Sequence, residues 1–498
     1  MNYVRQAPTE ECPLTKERQS CSFSDCCGFR SIICSFVALT AVITAALILQ
    51  LVYDDNAFQG RLNVHGAVAT DYSQCSKIGT KILMKGGNAV DAAIAAKLCM
   101  VVVAPHKTSL GSGGYIIIYN HKDQEHPRVI DFLSNTVPDE FKNVNLRIPV
   151  MLRGLEYAHN MFGKLVWQDL FEPSITLARE GFEISRDFAN EATKNTNLGI
   201  FQHINAGEKI KLPELANTLE NVSKFGTNVF YNGLLSSKLF ANLPGIETKN
   251  LLNLMSTYKP KVVEAQKSSL AQYAVYYPPS LNFAQSIIEE LDKFNASKEN
   301  VSSIESEIMV AEAIIKLVHQ LKDPYISFTE SRRYTGVTSV DWQDSYVSIV
   351  TGLSSPFNSK YMTEAGFVLD NVDNENSLLS LTPIVFYDET AVCGLRGVFS
   401  ADDSIIAGQM LYNLLIRSMN VSVAVEYPRY YVLDDGIAVE NDDRHSGNQL
   451  LRDSLIAIDT VSKIDANMIM KSVNVIIKRK NLISGHSDSR VDGLASRF

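Results

Sequence analysis

No charged residue interrupts the chain between Ser31 and Tyr53 (SIICSFVALTAVITAALILQLVY). Wound as a helix, a run of that length crosses the roughly 30 Å of a bilayer's hydrocarbon. Arg5, Lys16, Arg18 and Arg30 precede it, and Asp54 and Asp55 follow at once. The positive-inside rule therefore puts the N-terminal segment in the cytoplasm and everything after residue 53 outside. A cleaved signal peptide would need a shorter basic segment and a small-x-small site at the end of the run, and neither is present. The expected layout is a cytoplasmic tail (1–30), a transmembrane signal anchor (31–53), a stalk (54–63) and a large ectodomain. That is a single-pass type II protein of the plasma membrane with its ectodomain extracellular.

The remaining composition fits an extracellular globular domain. Of 498 residues, 46% are hydrophobic and 20% charged, which is enough apolar material for a sizeable core. The net charge of −9, with no basic patch interleaved with aromatics, excludes nucleic acid as an expected partner. Cys12, Cys21, Cys26, Cys27 and Cys34 fall in the tail or the anchor, and only Cys75, Cys99 and Cys393 lie beyond it. An oxidising compartment then allows one bridge and one spare thiol. Four N-x-S/T sequons, at Asn221, Asn295, Asn300 and Asn420, are glycosylation sites consistent with the same compartment.

Past the stalk, Ala67 to Thr70 is expected to be a strand and Tyr72 to Met84 a helix. A second helix follows, with Asn88 as its N-cap and Asp91 near its positive end. Val90, Ile94 and Leu98 recur along it among alanines, so it is expected to pack closely on every side. LGSGGYIIIYN reads as a glycine-rich turn into a strand; a phosphate loop would need a lysine and a following helix, and has neither. From about Pro149 to His319 helical patterns dominate. From Thr335 short strands are expected (TSVDWQD, YVSIVTG, PIVFYDE, TAVCGL), then helices around IIAGQMLYNLLIRSMN and ANMIMKSVNVIIKRK. Strands flanked by helices in two blocks suggest a layered α/β protein with paired sheets.

GGNAVDAAIAAKLC is followed, in order, by LGSGG at Leu110, TVP at Thr136, RG at Arg153, FEPSITLAREGFEIS from Phe171, EYPR at Glu426 and the closing HSDSRVDG. On these motifs the chain, over roughly residues 64–498, resembles the γ-glutamyltransferase (γ-glutamyl transpeptidase, glutathione hydrolase) family. The resemblance implies an N-terminal-nucleophile hydrolase with an αββα sandwich, preceded here by one transmembrane helix. It implies a large-subunit region (64–334) and a small-subunit region (335–498) that stay associated if the chain cuts itself. Thr335 would then be the catalytic nucleophile. Its hydroxyl needs a base within hydrogen-bond reach, and the α-amine freed by the cut, with a pKa near 8, would supply one. The substrate expected is a small γ-glutamyl compound such as glutathione, with no cofactor or metal. A Cys75–Cys99 disulfide is implied, which leaves Cys393 free.

Several positions depart from the family pattern. Leu133 stands where an arginine would hold the substrate carboxylate. The acidic motif becomes Asp370, Asn371, Val372, Asp373, Asn374, Glu375, of which Glu375 remains a candidate substrate ligand. The second threonine that supports the nucleophile aligns with Leu353, its following asparagine with Ser355, and a histidine with Val337. Ser380 is the one left of two paired serines, and the oxyanion hole aligns with Gly397 and Val398. Arg396, beside them, would be either a ligand contact of a refitted pocket or a solvent-exposed loop residue. Losing a charged partner of a bound ion costs about 2–5 kcal/mol, and losing an oxyanion donor roughly 3. The alternative function is therefore a catalytically inactive homologue serving as a cell-surface binding or structural module.

Overall fold

The computed structural model of the chain describes residues 33–47, 65–133, 146–195, 199–240, 248–297, 303–321, 334–357, 361–370, 381–433, 436–440, 447–457, 469 and 471–498. It divides into two units, Met1–Asn63 and Val64–Phe498. In the first, residues 33–47 form a helix. Among the described residues no helix is long and apolar enough to cross a membrane. The expected span, 31–53, extends outside the described residues at both ends.

Two antiparallel sheets organise the second unit. The first has the order β13-β1-β7-β8-β2-β3-β4, formed by β1 (Ala67–Thr70), β2 (Gly113–Asn120), β3 (Arg128–Asp131), β4 (Lys261–Glu264), β7 (Tyr334–Val340), β8 (Ser345–Gly352) and β13 (Leu494–Arg497). The second, β12-β11-β10-β9-β6-β5, comprises β5 (Gln266–Leu270), β6 (Tyr273–Tyr277), β9 (Thr382–Asp388), β10 (Arg396–Ala401), β11 (Val473–Arg479) and β12 (Leu482–Ser487). The sheets stack face to face, with β7 and β8 over β10. Helices α1 (Ser73–Met84), α2 (Ala89–Val103) and α3 (Met151–Phe162) cover the outside of the first sheet, and α4 (Trp167–Glu180) packs on α2. Helices α5 (Asn282–Ser297), α6 (Ser404–Leu411) and α7 (Val421–Glu426) cover the second. The layers run helix, sheet, sheet, helix.

Strand periodicity fixes which side chains enter which layer. Val68, Ile116, Ile118, Val337, Val347 and Ile349 join the core under the helices. Their neighbours Ala67, Ala69, Tyr115, Ile117, Val340, Tyr346 and Val350 join the core between the sheets. Helix α2 is buried over its whole length, as its small residues require. The Asn88 side chain accepts from the Asp91 N–H and the Asp91 carboxylate accepts from the Asn88 N–H, so both ends of a capping box are made. Asp91 also accepts from the Lys164 and Leu165 N–H groups, which ties the start of α2 to the connection between α3 and α4.

Cys75 on α1 and Cys99 on α2 form a disulfide across 24 residues of chain. Closing a loop of that size is worth about 3 kcal/mol in the chain-entropy account. Cys75→Ser is therefore expected to lower stability by about that amount in a guanidinium titration, with the added reductant having no further effect on the variant. Cys34 and Cys393 are exposed free thiols.

The structure corrects three readings. Residues 261–277, within the stretch expected to be helical, form three strands, and the middle of the chain supplies edge strands to both sheets. The hairpin between β5 and β6 turns at Ala271, whose φ is 53°. TAVCGL is a turn, and the strand starts after it at Arg396. Val473–Arg479 (VNVIIKR), expected within a helix, is a strand paired on both sides, with its β-branched residues packed in the sheet.

Candidate functional site

Thr335 is the second residue of β7 and lies directly opposite Thr351 of β8. Both are odd-numbered positions of strands whose odd residues face the helices, so both hydroxyls point toward α2. Lys97 of α2 meets them there. Its ammonium donates to the Thr335 carbonyl oxygen (2.8 Å), to Thr335 Oγ1 (3.0 Å) and to Thr351 Oγ1 (3.2 Å). The two threonine hydroxyls are 3.4 Å apart, and Thr351 Oγ1 is also 2.8 Å from Thr108 Oγ1. Lys97, Thr335, Thr351 and Thr108 are all fully buried.

On the other side of β7, Gly336 faces the second sheet. A Cβ there would collide with Ser400 of β10 and reach Asn474 Nδ2 of β11. The Gly336 N–H donates to Asp71 Oδ2 (2.9 Å), while Asp71 Oδ1 accepts from Asn474 Nδ2 (2.6 Å) and Ser472 Oγ (2.8 Å). Asp402 accepts from the Ser472 N–H at 2.8 Å. Two buried carboxylates thus share one short segment. Burial raises the pKa of both, and the charge of Asp71 helps push Asp402 up to about 8. Burial acts in the opposite sense on Lys97 and draws its amine down to about 7, against the pull of Asp71 and Asp402.

Lys107, just past the end of α2, pairs with Asp187 at 2.8 Å, and His106 Nε2 lies 3.2 Å from the same carboxylate. Burial works against ionisation of Asp187, but Lys107 and His106 together hold it well below the usual carboxylate range. A surface cleft of about 480 Å³ opens beside this pair between Tyr72, Val103, Glu183 and Asp492. Thr335 does not line it.

The glycine-rich motif makes the expected turn at Leu110–Gly111 into a strand, and it also serves the site through a close approach. Gly113 and Gly114 already belong to β2, and Gly114 pairs with Thr351. A Cβ on Gly114 would overlap the Val350 carbonyl oxygen and lie 2.9 Å from Thr351 Cγ2. Gly114→Ala is expected to displace β8 at Thr351 and to cost about 1–3 kcal/mol, read from the denaturant midpoint.

Other expected site residues fall elsewhere. Gly397 and Val398 sit inside β10, flanked by β9 and β11. Gly397 packs against Phe386 and Ile477, and the residue of β10 that reaches Gly336 is Ser400. Leu133 rests against the core between the sheets, with its N–H donating to Asp131. Leu353 is buried and donates its N–H to the Lys107 carbonyl, and the threonine beside Thr335 is Thr351. Arg396 is not an exposed loop residue: it is buried at the start of β10 and pairs with Asp344 at 2.6 Å. Asp370 accepts from the Ser354 N–H and pairs with buried Arg147 at 3.4 Å. Glu375, Ser380 and Asn300 lie outside the described residues; Asn221, Asn295 and Asn420 are at least partly exposed. The sequence reading missed Lys97, although a lone lysine inside an apolar, all-round-packed helix was a signal for it.

Fold and site together define a layered α/β protein with a threonine hydroxyl and a lysine amine at the head of a central strand. The gamma-glutamyltranspeptidase family model matches residues 75–326, about half of the chain, and the chain belongs to that family. Glutathione hydrolase 5 proenzyme of Rattus norvegicus is 29% identical over 340 residues, covering 60% of this chain and 59% of the relative. Scoloptoxin SSD14 of Scolopendra dehaani is 31% identical over 271 residues, 48% of this chain and 47% of the relative. The chain thus aligns with about half the length of these curated relatives. A crystal structure of cephalosporin acylase from Bacillus halodurans superposes with a TM-score of 0.72 at 15% identity, over 87% of this chain and 96% of that one, which shows a shared fold.

Proposed function

We propose that the chain is a membrane-anchored N-terminal-nucleophile enzyme, γ-glutamyltransferase- or glutathione hydrolase-like, that cleaves or transfers γ-glutamyl groups through an acyl ester on Thr335. The observation that carries this reading is the Thr335 hydroxyl, held within hydrogen-bond distance of both an amine and a second threonine. A threonine is a weak nucleophile until a base lies that close. In this reading residues 31–53 anchor the protein and the ectodomain faces outward.

A second reading, a silent homologue, is favoured by Leu133 packing on the core where a clamping arginine was expected. A denaturing gel of the full-length protein and an assay of γ-glutamyl release from glutathione or a chromogenic analogue decide between them. Two fragments meeting at Tyr334–Thr335, together with turnover, support the enzyme. An intact chain with no release at high substrate overturns it.

A further inference from the structure

A chain that is to cut itself before Thr335 needs a base while the Thr335 nitrogen is still an amide and cannot serve. Among the described residues, the groups bonded to the Thr335 hydroxyl are Lys97 Nζ and Thr351 Oγ1. A hydroxyl does not accept a proton near neutral pH, whereas an amine does. We propose that Lys97 is the general base that activates Thr335 in the uncut chain, so that the Tyr334–Thr335 bond is opened by a lysine–threonine dyad. The proposal rests on the reading of Thr335 as a nucleophile.

Lys97 is poorly explained as a purely structural lysine. It is fully buried and, among the described residues, forms no ion pair; all three of its hydrogen bonds go to neutral oxygens of Thr335 and Thr351. A permanently charged ammonium in that setting carries the full cost of desolvation, and the cost falls away when the amine is neutral. Asp71, beyond β1, and Asp402, beyond β10, are the acids that act on it electrostatically, and Lys107 acts in turn on both carboxylates. With its amine drawn down to about 7, Lys97 is about half neutral at neutral pH, the condition that suits a general base.

Neutral Lys97 Nζ takes the proton of Thr335 Oγ1, and the oxygen attacks the carbonyl carbon of Tyr334, forming a C–O bond. As the tetrahedral centre collapses, the Tyr334 C–Thr335 N bond breaks and the ammonium of Lys97 returns its proton to the departing nitrogen. Water then hydrolyses the ester, leaving a carboxylate on Tyr334 and a free amine and hydroxyl on Thr335.

The test follows fragment formation by full-length protein in detergent, on denaturing gels and by mass, across a series of pH values. Wild type, Lys97→Met, Lys97→Arg and Thr335→Ala are compared, with circular dichroism to monitor folding. Wild-type cutting is expected to rise with pH and to reach half its maximal rate near 7, because protonated Lys97 is no base. Both Lys97 variants should be slowed by about a hundredfold or more, the arginine because a guanidinium does not give up its proton. Cutting by folded Lys97→Met or Lys97→Arg within about threefold of wild type would overturn the proposal and leave the Thr335 reading standing. If those variants fail to fold, the wild-type profile decides alone, and a rate flat from acid to mildly alkaline pH overturns it. Cutting that survives Thr335→Ala, or a wild type that stays intact at every pH, sinks the Thr335 reading itself and the base with it.

Discussion

Thr335→Ala is expected to yield a folded protein that runs as one band on a denaturing gel and releases γ-glutamyl groups at least about a thousandfold more slowly than wild type. The substitution removes Oγ1, the only atom of the residue able to form the ester, and loss of a nucleophile is not made good by the groups around it. Its structural cost is small by comparison. Thr335 is packed between Thr351 and Lys97, and deleting a hydroxyl and a methyl there leaves Lys97 its bonds to the Thr335 carbonyl and to Thr351. Stability should fall by about 1–2 kcal/mol, measurable by denaturant titration. Thr335→Ser separates the two effects, because it restores the hydroxyl without the methyl and should recover cutting. A chain that is still cut as Thr335→Ala would show that the bond opens by some other route.

The largest loss of stability is expected at Asp344. This residue closes the β7–β8 hairpin with φ of 71°, accepts from Arg396 Nη2 (2.6 Å), Lys478 Nζ (2.9 Å) and Tyr346 Oη (2.7 Å), and is almost fully buried. Burial opposes its ionisation, but the bonds from Arg396 and Lys478 hold its carboxyl below the usual range. Asp344→Ala leaves two buried cations facing an apolar gap and puts a Cβ-bearing residue with no compensating bond at positive φ. About 3–5 kcal/mol is expected from the broken buried pairs. Asp344→Asn, which tolerates the same backbone and keeps an acceptor, should lose less. Because the folded pKa is depressed, this contribution is fully present above about pH 4, near the unfolded value. It is lost as pH falls through the folded value, so wild type and variants should converge in acid. Denaturant titrations at neutral and acid pH check both statements.

How legible these features were depended on whether neighbours or partners decided them. The start of α2 was readable because the capping box of Asn88 and Asp91 is a local bargain between residues three apart. Thr335 was singled out through motifs on either side of it. The threonine beside it was not, because its identity depends on the register of β7 against β8, which the hairpin from Asp341 to Asp344 sets. Matching the family pattern leads to position 353, whereas strand pairing puts Thr351 opposite Thr335. The segment Val473–Arg479 was misread because a short apolar run fits a buried helix or a buried strand equally well until its partners are known. Arg396 and Lys97 show the same limit for charges. Whether each is exposed, paired or poised is settled by residues far away in sequence, Asp344 in one case and Thr335 in the other.

Strands from before and after Tyr334–Thr335 are interleaved. β1 is hydrogen-bonded between β13 and β7, β8 pairs with β2, and in the second sheet β9 pairs with β6. Were the bond before Thr335 opened, the two pieces would still be woven through both sheets, and neither could leave without breaking ladders in each. A nicked molecule would therefore have no dissociation constant in the ordinary sense. Dilution would not part its halves, and its lifetime as one particle would be set by the rate at which the whole domain unfolds.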